Sequence, residues 1–217
     1  MHIDTTDISL IGDLQIPPKA IGLVIFAHGS GSSRRSPRNL AVADTLQTAG
    51  LATLRFDLLT PEEAATDEIT GALRFDIPLL ASRLIAAVDW ASAAEEVRHL
   101  PIGCFGASTG AAAALMAAAE RPAAVKAVVS RGGRPDLAGE ALLRVLAPTL
   151  LIVGAFDTEV IALNQRAALA MSGTVQMEIV QGATHLFEEP GALDQVAVLA
   201  TRWFQHHLRV AGNAGRR

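Results

Sequence analysis

The stretch that decides the reading is C104-F-G-A-S-T-G-A-A-A-A-L-M-A-A-A-E120, which joins an apolar run to an alanine-rich one through a knot of very small residues. Ser108 sits in it between Gly106-Ala107 and Thr109-Gly110. The spacing fits G-x-S-x-G, in which a serine occupies a strained strand-to-helix turn. Larger residues two places either side would collide with the chain as it doubles back. The same pattern also serves as a glycine-rich turn holding an incidental serine, so its surroundings have to separate the two readings.

Working outward, apolar runs and helix-like stretches alternate almost to the end of the 217 residues. "DISLIGDLQIP" has turn residues at its middle and reads as an antiparallel hairpin. "GLVIFAHG", "LATLRFD", "LPIGCFG", "VKAVVS", "PTLLIVG" and "TVQMEIV" read as strands rich in Val, Ile and Leu. Helical stretches follow each. The second is predicted over residues 72–96 after a loop, and the last over about 190–209 with Pro190 in its first turn. This predicts an α/β fold, a mostly parallel sheet with helices on both faces and an N-terminal antiparallel hairpin. No linker, repeat or composition shift divides the chain. One domain is expected over residues 1–210, with 211–217 a flexible tail.

Half the residues are hydrophobic and the net charge is −4, which offers nothing to nucleic acid or an anionic membrane surface. The single cysteine, Cys104, permits no internal disulfide. The N-terminus lacks the basic-then-apolar order of a signal peptide, and no run reaches the roughly 18–20 apolar residues of a membrane span. A cytoplasmic protein without membrane contact is expected.

Ligands of open α/β sheets sit at the carboxyl ends of the strands. The residues that follow the strands here are His28-Gly29-Ser30-Gly31, Asp57, Ser108, Ser130-Arg131-Gly132-Gly133, Asp157 and His185. A serine hydroxyl is a poor nucleophile without an adjacent base. His185 is the histidine downstream of Ser108 that lies outside the final helix, and it is the candidate base. Asp157 follows the penultimate strand and is the candidate acid, able to fix the imidazole tautomer; helix capping is its other reading. Asp136, one strand earlier, is a rival acid placed to cap the segment after it.

The order Ser108…Asp157…His185, together with "AHGSGSS", "GASTG", "GAFDTEV" and "GATHLFEEPG", resembles the α/β-hydrolases and, more narrowly, the dienelactone hydrolase-like group. The resemblance runs from about Gly22 to the last helix. It implies the hydrolase fold, a Ser108/His185/Asp157 triad, and hydrolysis through an acyl-enzyme without metal or cofactor. Dienelactone hydrolases carry a cysteine nucleophile where this chain has Ser108, and Cys104, four residues earlier, reads as core. The oxyanion hole is expected from the Thr109 amide, with the Ser30 amide favoured by the resemblance. His28 is expected to organise the Ser30 loop. The resemblance also extends to proteins fused to phosphoribosyltransferase domains.

Five of the sixteen arginines fall in two rim loops: Arg34, Arg35 and Arg38, then Arg131 and Arg134. Arg34, Arg35 and Arg131 are candidates for binding an anionic group on a small-molecule ester, since guanidinium forks match carboxylate and phosphate. The alternative is that they pair with Asp57, Asp136 and other nearby acids. About 17 residues separate "VVS" from "PTLLIVG", too few for a cap domain, so an open site is expected. Two rival functions fit the sequence less well. A Rossmann oxidoreductase would use "HGSGSS" and Asp57, but Arg34 stands where its third glycine belongs. A non-catalytic binding module would leave the Ser, Asp and His residues without a task.

Overall fold

The structure is a computed structural model that describes residues 1–4 and 8–209. Among these residues eight strands form one sheet: β1 (His2–Asp4), β2 (Ser9–Gln15), β3 (Leu23–Ala27), β4 (Ala52–Phe56), β5 (Ile102–Ala107), β6 (Val125–Arg131), β7 (Thr149–Gly154) and β8 (Val175–Val180). Their spatial order is β1-β2-β4-β3-β5-β6-β7-β8. The pairings β1/β2 and β2/β4 are antiparallel, and every pairing from β4 through β8 is parallel.

The antiparallel hairpin is present, but its turn is not at Gly12-Asp13. Those residues lie inside β2, paired with Phe56 and Arg55 of β4. The strand absorbs them because Gly12 lies flat against Phe56 and Leu54. The link between β1 and β2 lies outside the described residues, as does the tail expected over 211–217.

Among the described residues six α-helices cover the sheet: α1 (Pro37–Thr48), α2 (Pro61–Thr70), α3 (Ile77–Ala93), α4 (Thr109–Glu120), α5 (Thr158–Ala170) and α6 (Ala192–His207). Helix α2 falls where a loop was expected. Its signal is a capping box: Thr60 Oγ1 accepts from Glu63 N–H while Glu63 accepts from Thr60 N–H, with Pro61 opening the helix and Gly71 closing it in the left-handed region. The stretch predicted as one helix over 72–96 is a 3₁₀ turn at Leu73–Phe75 followed by α3, which Asp76 caps. The last helix begins at Ala192 rather than at residue 190, because Gly191 in the left-handed conformation re-aims the chain just before it.

Strand alternation sorts the core into two layers. Leu23, Ile25, Leu54, Cys104 and Val128 pack with residues of α3 and α4. Val24, Phe26, Phe105, Ala127 and Val129 pack with Val42 and Leu46 of α1 and Phe204 of α6. The chain winds from β3 to β4 in one direction and then returns to place β5 on the other side of β3. That reversal is the topological switch point, where a crevice opens at the strand ends. Among the described residues no helix is long and apolar enough to cross a membrane.

Phe204 is fully buried, and its ring lies so close to Gly103 that an added Cβ there would sit 2.6 Å from it. Phe204→Ala should cost about 3–5 kcal/mol of unfolding free energy. Leu169→Ala, on an exposed face of α5, should change it by less than about 0.5 kcal/mol. Urea denaturation of the two variants checks the assignment of this layer.

Candidate active site

The turn between β5 and α4 is built by contact. A Cβ on Gly106 would lie 2.4 Å from Ala111 Cα, and one on Gly110 would lie 2.3 Å from the Ala27 carbonyl oxygen. With both positions bare, strand, helix and β3 close on one another, and Ser108 between them adopts φ 50°, ψ −119°. A non-glycine residue there is strained by about 1–3 kcal/mol. The backbone around it is tied down: Ser108 N–H donates to Arg131 C=O (3.2 Å), and Arg134 N–H donates to Ser108 C=O (3.1 Å). Thr109 is the first residue of α4, so its N–H has no acceptor within the helix.

His185 and Asp157 are brought together by the ends of β7 and β8. Gly154 closes β7, and a Cβ there would lie 2.5 Å from both the Ala183 and Thr184 carbonyl oxygens. Ala155 N–H donates to Val180 C=O and Phe156 N–H to Ala183 C=O, stitching the two loops side by side. Asp157 holds the capping position of α5 but makes no side-chain capping bond. Its Oδ2 instead accepts from His185 Nδ1 at 2.6 Å, with the carboxylate largely covered (15% exposed) and the imidazole half-open (37%). That bond leaves Nε2 as the ring nitrogen free to act as base.

The imidazole rests over Gly132: a Cβ added there would lie 2.9 Å from His185 O and 3.6 Å from its Cε1. Gly132 directly follows Arg131, the residue that accepts from Ser108 N–H. Serine and imidazole therefore flank one strand end. Among the described residues no hydrogen bond joins Ser108 Oγ to His185, an open arrangement of a kind that tightens when substrate enters such sites. The His185 loop is braced by Glu189, which accepts from the Thr184 hydroxyl and amide, and by buried Phe187. The Thr184 hydroxyl bond holds the Glu189 carboxyl below the usual carboxylate range.

The loop after β3 approaches from the other side of the switch point. Gly29 sits against the nucleophile, where a Cβ would meet Ser108 Cβ at 3.1 Å. Ser30 lies in the following turn, closed by Ser32 N–H donating to Gly29 C=O. His28 is a strut: Nδ1 donates to Gly29 C=O (3.0 Å) and Nε2 accepts from Leu58 N–H (3.1 Å). A cleft of about 640 Å³ lies beside the nucleophile rather than over it, between this loop and α2, with Ser30, Arg35, Arg38, Leu58 and Arg74 in its lining. Cys104 is fully buried in β5, and burial pushes its thiol up to about 12, so it offers no thiolate.

The rim arginines divide. Arg34 is clamped between Asp57 and Asp13 and also donates its N–H to Asp57, so it fastens the loop to β2 and β4. These bonds are the pairing with Asp57 that stood as the alternative to substrate binding. Arg134 pairs with Asp136, which removes Asp136 as a rival acid for His185. Arg35 is exposed on the cleft wall, and Arg131 is buried. Two contributors escaped the sequence reading. Gly154 sets the approach of the Asp157 and His185 loops, and fully buried Asn164 donates to Gly133 C=O (3.0 Å), shaping the loop beneath Ser108. The signal for Asn164 was an amide on the buried face of the helix "TEVIALNQRAALA".

Burial lowers the His28 pKa below 6.5. The folded state then resists a proton that the unfolded chain takes up, so the contribution of His28 is complete above about pH 6.5 and is lost as pH falls below it. Urea titrations at pH 8 and pH 5 should show a smaller acid loss of stability in His28→Gln than in the parent. An equal loss in both would contradict the buried neutral strut.

Residues 20–197 match the family model described as alpha/beta hydrolase domain. The structure of dienelactone hydrolase from Anabaena variabilis is 58% identical, with a TM-score of 0.95 over 96% of this chain and 97% of that one. Est1E from Butyrivibrio proteoclasticus shares the fold (TM-score 0.79 over 95% of this chain and 98% of that one) at 19% identity. Two Mycobacterium tuberculosis proteins named "Putative phosphoribosyl transferase" are 57% identical over 208 residues, 96% of this chain. The chain spans 46% of their length. On this fold, this sequence likeness and this family match, the chain belongs to the α/β-hydrolase family, in its dienelactone hydrolase-like group.

Proposed function

We propose that the protein is a serine hydrolase of small carboxylic esters, a class whose acyl chemistry extends to thioesters and lactones. The observation that carries the reading is the 2.6 Å bond between His185 Nδ1 and Asp157 Oδ2, set on the rim beside a serine held at positive φ. In this reading Ser108 Oγ attacks the ester carbonyl and gives its proton to His185 Nε2. Asp157 holds the tautomer and stabilises the imidazolium. The Thr109 amide and the Ser30 amide receive the developing oxyanion. His185 then protonates the departing alcohol, and a water, deprotonated by the same nitrogen, cleaves the acyl-enzyme and restores Ser108.

The likeness to a dienelactone hydrolase supports hydrolysis as the reaction class. Est1E, which shares the fold at 20% identity, has a structure with ferulic acid bound. Phosphoribosyl transfer is not carried over, because the chain covers less than half of the relatives bearing that name. A binding module without chemistry gives no reason to hold Ser108 in a strained conformation, where a glycine would sit freely.

A fluorophosphonate probe should label the parent at Ser108 and leave Ser108→Ala unlabelled. Ser108→Ala should lower kcat by about 10⁶-fold, as nucleophile loss does in comparable triads. Ser108→Gly should be as inactive yet more stable by roughly 1 kcal/mol, since it releases the positive-φ strain. Asp157→Asn should lower kcat by about 10⁴-fold by misdirecting the imidazole. Turnover surviving in Ser108→Ala at a large fraction of the parent rate, on a panel of aryl esters, would reject the proposal.

A further inference from the structure

The cleft of about 640 Å³ beside Ser30 lies in the size range of small-molecule sites, and the triad chemistry leaves it without a task. One wall is the loop after β3, which brings Ser30, Ser32, Ser33 and Ser36 to the cleft. The other is α2, whose one buried residue is Asp67, so the face it offers is polar. Apolar surface comes from buried Leu58 and Leu80.

Much of the charge on these walls is neutralised within the protein. Asp67 accepts from the amide and Nε of Arg74, and Arg38 pairs with Glu188. One group of each sign remains, Arg35 on the loop and Glu68 on α2. Both are exposed and, among the described residues, their side chains make no hydrogen bond or ion pair. The hydroxyls of Ser30 and Ser32 are likewise unpartnered among those residues. Those of Ser33 and Ser36 each accept from an amide and keep a proton to donate.

This lining disfavours two kinds of occupant. A carboxylate or phosphate drawn to Arg35 would meet the Glu68 carboxylate in the same cleft, and like charges repel. An alkyl chain would displace water from the serine hydroxyls and offer them no hydrogen bond in return. A group rich in hydroxyls suits both sets, because each hydroxyl donates to Glu68 or accepts from Arg35 and the serines. Its carbon framework would rest on Leu58 and Leu80.

We propose that the cleft binds a polyhydroxylated group, a sugar or polyol, carried by the ester that Ser108 cleaves, with Glu68 as its main acceptor. The proposal rests on the hydrolase reading and narrows it to hydroxyl-rich esters. Ser30 joins the two sites: its amide is assigned to the oxyanion, and the same residue lines the cleft. A substituent on the reacting carbonyl carbon therefore has the cleft next to it.

The test has an alcohol arm, 6-O-butyrylglucose against propyl butyrate, and an acyl arm, methyl glycerate against methyl propionate. Acid release is followed in the parent, Glu68→Ala and Glu68→Gln. Glu68 is exposed, so neither change disturbs the core. In one arm Glu68→Ala should lower kcat/KM for the hydroxylated ester by at least about tenfold and leave the plain ester within about threefold. The arm that responds tells whether the hydroxyls belong to the alcohol or the acyl side. Glu68→Gln should recover part of the loss, since its amide oxygen still accepts. Calorimetry adds a readout without turnover: Ser108→Ala should bind the hydroxylated ester of that arm, and adding Glu68→Ala should weaken binding by at least about tenfold. If this binding is found while the parent cleaves none of the esters, the cleft assignment stands and the hydrolase reading falls. Turnover with losses that are equal on hydroxylated and plain esters, or absent in both arms, would overturn the proposal and leave the hydrolase reading standing. Binding to Ser108→Ala that is missing, or unchanged by Glu68→Ala, would also overturn it.

Discussion

The approach of three backbone segments at Gly106 and Gly110 is the constraint on which the site depends. Helix α4 leaves β5 with no room for a Cβ at either glycine, and β3 presses on the same point from the next strand. The residue caught between them has to take a conformation that L-residues avoid. Its Cβ is thereby aimed by the backbone. Every other element of the site is placed relative to this fixed point.

The second half of the chain supplies the rest by a similar device. Gly154 lets the end of β7 touch the loop after β8, so that an acid from one and an imidazole from the other meet at 2.6 Å. Gly132 lets that loop lie down on the end of β6. The first half contributes the Ser30 turn, held from below by His28 and from the side by Arg34 between Asp13 and Asp57. Arg34, Arg38 and Arg134 are each paired with a carboxylate on this rim. Arg131 stands apart from that pattern.

Much of this was legible from residue order. The alternation of apolar runs with helix-like stretches is what a parallel sheet under helices requires, and the rim residues followed from asking what comes after each strand. Ser108, Asp157 and His185 are among them, and the structure lays Asp157 against His185 and the His185 loop on Gly132, next to the residue that holds Ser108 N–H. Three things were not legible. Gly12-Asp13 looked like a turn because the pairing of β2 with β4, which keeps it extended, is long-range. Helix α2 was overlooked because its apolar face is slight and its evidence is the Thr60/Glu63 cap rather than periodicity. The fate of the arginines was undecidable, since a guanidinium in a rim loop reads alike whether an acid from a distant strand meets it, as Asp13 meets Arg34, or nothing does, as at Arg131.

The claim that a strained serine is the attacking group is tested most directly by catching its acyl adduct. The parent would be mixed with a slowly deacylated aryl ester, quenched within the first turnover, digested with trypsin and mapped by fragmentation mass spectrometry. The peptide spanning residues 99–126 holds both Ser108 and Cys104. The account predicts one acyl group on Ser108, appearing in step with a burst of released phenol. An acyl group on Cys104 or elsewhere, or turnover with no adduct and no burst under conditions where deacylation is slow, would contradict it.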